Sequence, residues 1–202
     1  MKKNNNLNKQ MIKKMCLISI FSAISLILYI VGPKFSLPFF PAFLEINLSM
    51  LPILIATFMG GLSDGLIVSI IRFLIKLPFS STGFVGELSD LVIAVIVVLA
   101  LGLVNKKEKL PCKNLIMLAV GIISWIIAGY ISNSFSLPFY LNLFGKEAVL
   151  GACSMIPGIN ENNLILMYYL FGITPFNFCV SFVVVGVTLL VNKRLKSIYD
   201  KI

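Results

Sequence analysis

Phe79-Ser-Ser-Thr-Gly-Phe-Val-Gly-Glu-Leu-Ser-Asp90 sets two carboxylates and two glycines between hydrophobic runs, and the fold follows from where such a stretch can lie. A charge near the middle of a bilayer is costly unless it faces protein or water, so Glu87 and Asp90 are expected to point into a cavity. Three apart, they share one side of a helix, and Gly83 and Gly86 allow close backbone approach. The cavity reads as a small-molecule site. The rest of the chain reads as the bundle that forms it.

Outward from that stretch the chain is apolar nearly everywhere. Of its 202 residues 58% are hydrophobic, and the mean hydropathy of +0.99 places it outside the soluble globular class. A bilayer span takes roughly 20 apolar residues, which leaves room for about six spans with short connections and for no separate soluble domain. We therefore expect residues 1–202 to be a single all-α membrane domain of six transmembrane helices.

A formal net charge of +9 invites comparison with nucleic-acid binders. The placement of the charges argues for a membrane surface instead. Most of the 17 basic residues fall in three clusters beside hydrophobic runs: Lys2 to Lys14, Lys106 to Lys113, and Lys193 to Lys201. If these clusters are cytoplasmic, the positive-inside rule gives an even number of spans with both termini inside. The first run is too long for a signal-peptide core and is read as retained. Cys16, Cys112, Cys153 and Cys179 are scattered and read as small apolar or boundary residues.

In chain order, the first span is expected from about Met15 to Val31, with Ser19 and Ala23 four apart on one face. Gly32-Pro33 ends it. The segment to Asn47 is loop-like yet apolar, with Pro33, Pro38 and Pro41 among Phe35, Phe39, Phe40 and Phe43. It reads as an outer-face lid or an aromatic belt, with Glu45 and Asn47 at its exit. Two spans meeting at Gly60-Gly61 follow, from about Leu48 and to about Leu77. Arg72 and Lys76, four apart, break the positive-inside pattern; they are read as reaching to headgroups, the alternative being pairs with Glu87 and Asp90.

A fourth span is expected over about 85–104 and a fifth over about 115–137. The outer end of the fifth carries Asn133, whose amide both donates and accepts, before Pro138. A divided outer segment then leads to a last span over about 164–191, interrupted by Gly172-Ile-Thr-Pro175, with Asn177 just beyond.

Taken together, Phe40-Pro-Ala-Phe-Leu-Glu-Ile-Asn-Leu-Ser49 with Pro52, Ser81-Thr-Gly-Phe-Val-Gly-Glu-Leu88, Asn133 with Pro138-Phe-Tyr140, and Pro175-Phe-Asn177 resemble the substrate-binding S components of energy-coupling-factor vitamin transporters. The riboflavin-specific branch is the most similar. The resemblance implies a six-helix membrane protein that captures a vitamin outside the cell and is energised by one coupling transmembrane protein and two cytoplasmic ATPases. It implies ligand contacts at Phe43, Leu44, Glu45, Asn47, Leu48, Thr82, Gly83, Gly86, Glu87, Asp90, Asn133 and Asn177. It also implies a coupling face at Ser19 and Ala23. Three positions depart from the riboflavin-type pattern: Met50 in place of an acid, Asp90 in place of Asn, and no lysine among Phe178, Cys179 and Val180. These keep a flavin nucleotide or pantothenate open as the cargo.

Other classes find less support. With no histidine, no metal-ligand cluster and no Gly-x-x-x-x-Gly-Lys-Ser/Thr, neither serine-histidine hydrolysis, zinc chemistry nor nucleotide hydrolysis has its residues. We expect no catalytic residue, metal or cofactor. Self-sufficient secondary transporters often show inverted repeats, and none stands out here. Nanomolar capture of a vitamin needs about 12 kcal/mol, within reach of a preorganised site joining an aromatic wall to several hydrogen bonds.

Overall fold

The computed structural model describes residues 2–36, 40–41, 44–80, 83–107 and 110–199. Phe43 and Thr82, two of the expected ligand contacts, and Phe39 of the aromatic segment lie outside the described residues. The chain is mostly helical: α1 (Lys2–Ile30), α2 (Met50–Gly60), α3 (Leu62–Lys76), α4 (Val85–Asn105), α5 (Lys113–Phe144), α6 (Lys146–Ala152), α7 (Leu164–Met167) and α8 (Thr174–Tyr199). A π-helical turn, Tyr168–Ile173, joins α7 to α8.

Among the described residues four helices are long and apolar enough to cross a bilayer: Asn8–Ile30, Val85–Asn105, Lys113–Phe144 and Leu164–Leu195. The expected second and third spans fall short of that test. With 11 residues, α2 rises only about 16 Å. It is apolar on every side because it is buried on every side, against α1, α3, α4 and α8. Its partner α3 carries Asp64, Arg72 and Lys76, all buried, on 15 residues. The two legs turn at Gly61, whose φ of 101° is a conformation suited to glycine.

Cross-links fix which end of the bundle each turn occupies. At the lysine-rich end, Lys14 lies 3.4 Å from Asp64. There Asn105 Nδ2 also donates to the Phe58 carbonyl (3.2 Å) and Lys113 Nζ to the Asn105 carbonyl (2.8 Å). At the opposite end the apolar segment after α1 contains a short antiparallel pair, β1 (Phe35–Ser36) on β2 (Glu45–Ile46). The prolines of this segment point to loop alone, and the pairing is not visible in its sequence. Phe40 anchors it by packing edge-on to Phe176, centroids 5.6 Å apart.

Pro138 does not end its helix, and Pro175 marks a helix start. Pro138 sits inside α5, which continues to Phe144 rather than ending near Leu137. Pro175 opens α8 just past the π-turn, where Thr174 Oγ1 donates to the Tyr169 carbonyl at 2.8 Å. Two buried clusters result. One surrounds α2 with Val97, Leu101, Trp125 and Val184. The other, Leu137, Val149, Cys153, Ile156, Leu164, Tyr168 and Ile173, lies beneath α6 at the end away from the lysines.

Candidate functional site

At that end a cavity of about 490 Å³ opens between β2, the tip of α1, the start of α4, the end of α5, α6 and the π-turn. Its volume falls within the range of small-molecule sites, roughly 300–1,000 Å³. One wall is polar: Tyr29, Lys34, Glu45, Asn47, Gly86, Glu87 and Asp90. The other is apolar and aromatic: Leu137, Tyr140, Phe144, Ala148, Val149, Ala152 and Tyr168. Tyr140 and Phe144, one helical turn apart on α5, stack with centroids 6.1 Å apart.

The polar wall is built on the entry to α4. Gly83 and Phe84 both take left-handed backbone, with φ of 60° and 70°. The second is uncommon for an aromatic residue. This turn brings Ser80 beneath the helix start, where its Oγ accepts from Phe84 N (3.0 Å) and donates to Glu87 Oε2 (2.6 Å). Glu87 is 4% exposed, and Asp90 one turn on meets Lys76 Nζ. Lys34 and Glu45 face each other at 3.8 Å across the hairpin.

Lys76 and Arg72 correct the sequence reading. Neither reaches a headgroup: both are 2% exposed. Lys76 pairs with Asp90, and Arg72 Nη1 donates to Ser49 Oγ at 2.7 Å. Long aliphatic stems let a cation turn inward as readily as outward, and buried acceptors on two neighbouring segments decide the direction.

The residues singled out by sequence do not all meet in one place. Glu45, Asn47, Gly86, Glu87 and Asp90 line the cavity together. Asn133 stands behind the wall, its Oδ1 accepting from Tyr168 OH at 2.8 Å and its Nδ2 donating to the Gly129 carbonyl. Leu44 and Leu48 are half-buried against the core, and Gly83 shapes the turn before α4. Asn177 is buried between α8 and α5, donating to the Ile173 carbonyl at 2.9 Å and lying against Gly129. Ser19 and Ala23 are exposed together on the outside of α1.

Sequence reasoning missed Tyr29 and the apolar wall, and weighed Lys34 only as a cation for a phosphorylated ligand. Of these, Tyr140 carried a signal, in the Pro138-Phe-Tyr140 segment. Among the described residues no three His, Cys, Asp or Glu side chains are grouped to hold a metal ion.

The chain is similar to known proteins along nearly all its length. The family model described as ECF transporter, substrate-specific component, matches residues 13–192. The riboflavin transporter RibU of Staphylococcus aureus (strain TCH60) is 28% identical over 198 residues, covering 97% of each chain. A solved structure titled "Structure and mechanism of the S component of a bacterial ECF transporter" superposes with a TM-score of 0.65 at 25% identity, over 92% of this chain and 96% of that one.

Proposed function

The chain belongs to the substrate-specific components of ECF transporters, and from that premise we propose that it binds riboflavin in the cavity beside Glu87 and passes it into the cell. It is a transporter component and not an enzyme. The observation that carries the reading is the two-sided cavity itself, aromatic on α5 and polar on α4 and β2. A flat heterocycle packs on Tyr140, Phe144 and Tyr168, and hydroxyl groups donate to the carboxylates of Glu45, Glu87 and Asp90. The likeness to RibU supports the choice of riboflavin.

The remainder of the reading rests on the family and on charge placement. The chain crosses the plasma membrane six times as a single domain, with α2 and α3 as two short legs packed inside the longer helices. Both termini lie in the cytoplasm beside the lysine clusters. A coupling transmembrane protein docks on α1 at Ser19 and Ala23, where small side chains admit a second helix, and two ATPases supply the energy. Asn133 acts on the ligand through Tyr168.

The deciding experiment is the absorbance spectrum of the protein as purified, followed by fluorescence titration with riboflavin. A yellow protein, or stoichiometric quenching at nanomolar concentration, is the expected result. A colourless protein that ignores riboflavin but binds riboflavin 5′-phosphate or pantothenate would keep the family and change the cargo.

A further inference from the structure

Asn47 Oδ1 accepts two hydrogen bonds, from the backbone N–H of Ser49 at 3.2 Å and from the Ser49 hydroxyl. The first identifies the atom facing Ser49 as the amide oxygen, because a backbone N–H only donates. The second is directed as well. A guanidinium has no acceptor, so when Arg72 Nη1 donates to Ser49 Oγ at 2.7 Å, the hydroxyl receives from Arg72 and turns its own proton to Asn47. Ser25 Oγ donates to the Ser49 carbonyl at 2.6 Å and holds the segment from the other side.

We propose that Arg72 is a positioning residue for the cavity: through Ser49 it turns Asn47 so that the amide N–H₂ faces the ligand as a hydrogen-bond donor. The inference rests on the reading of this cavity as the ligand site. Asn47 lines it, and with Oδ1 committed to Ser49, Nδ2 is the polar atom left for the ligand. Glu45, Glu87 and Asp90 supply acceptors on the same wall. A fixed neutral donor among them selects a ligand carbonyl oxygen or an unprotonated ring nitrogen. Arg72 itself does not touch the ligand. It is buried behind Ser49, and because its guanidinium only donates, the relay runs one way.

A double-mutant cycle on riboflavin binding separates this role from mere packing. Asn47→Ala is expected to weaken binding at least tenfold, and Ser49→Ala about fivefold. Ser49→Ala should cost nothing further once Asn47 is Ala, and Ser49→Thr, which keeps the hydroxyl, should restore binding. Asn47→Asp, which still accepts from Ser49 but offers the cavity an oxygen, should bind no better than Asn47→Ala. Additive losses, wild-type affinity in Ser49→Ala, or wild-type affinity in Asn47→Asp would each overturn the proposal. If the wild-type protein ignores riboflavin, the cargo assignment fails and the relay is still decided by NMR of ¹⁵N-asparagine-labelled protein. The Asn47 side-chain N–H₂ signals, assigned by their loss in Asn47→Asp, must move in Ser49→Ala and stay near their wild-type positions in Ser49→Thr. Signals unmoved in Ser49→Ala would sink it.

Discussion

The ammonium of Lys76 sits 3.5 Å from the centroid of the Tyr29 ring while also meeting Asp90, so one buried cation joins α1, α3 and α4 at the rim of the cavity. Both contacts need the charge. Lys76→Met removes them and leaves Asp90 alone. We expect a loss of about 1–3 kcal/mol, less than for a fully buried pair, because the Asp90 side chain is 36% exposed. Adding Asp90→Leu should recover most of it, since two apolar groups can replace an ion pair at little cost. Thermal unfolding in detergent checks both, and equal losses in the single and double variants would contradict this account.

Tyr168 donates to Asn133 Oδ1 across the back of the cavity at 2.8 Å. Tyr168→Phe should weaken riboflavin binding by about 1 kcal/mol through the lost hydroxyl, and Asn133→Ala by about 1–3 kcal/mol, since it also frees the tyrosine. Titration of the two variants tests the pair. Unchanged affinity in both would remove it from the site.

The polar half of the cavity was legible in the sequence because Glu45, Asn47, Glu87 and Asp90 are conspicuous in an apolar chain, where a charge has few places to go. The apolar half was not. Phe144, Val149 and Tyr168 would read the same facing lipid, core or ligand, since hydropathy carries no direction for a side chain at home in all three. The same ambiguity hides how short α2 is: a helix buried on every side has the composition of one bathed in lipid, and only its 11-residue length sets it apart from the long spans. The inward turn of Arg72 and Lys76 depended on Ser49 and Asp90, both distant along the chain, and spacing alone left it open.

Cys153 lies outside the spanning helices with no exposed surface, and burial pushes its thiol up to about 11 from 9.0. Its thiolate fraction near pH 8 should therefore be about 100-fold below that of an ordinary thiol. A maleimide should label exposed Cys112 in minutes and spare Cys153 until the protein is unfolded. The folded state resists ionisation, so this contribution is complete below about pH 8 and is lost as the pH rises from about 9 towards 11. Equal native labelling of Cys112 and Cys153, read by mass spectrometry, would place Cys153 at the surface instead.

Ala23 and Ser19 stand exposed on the same side of α1, while Leu17, Ser22 and Ser25 turn into the bundle. Ser19 and Ala23 are small among larger exposed neighbours such as Met15 and Ile27, so a partner helix can approach closely at these two positions and is kept off by a bulky residue there. Ala23→Trp adds volume on the outside of the bundle, away from the cavity, so riboflavin affinity should stay within about twofold of wild type, under 0.5 kcal/mol. Uptake by cells that depend on this chain should nonetheless fall at least tenfold. The two readouts together locate the effect: weakened binding would mean that the substitution disturbs the fold, and normal uptake with normal binding would move the coupling face off Ser19 and Ala23.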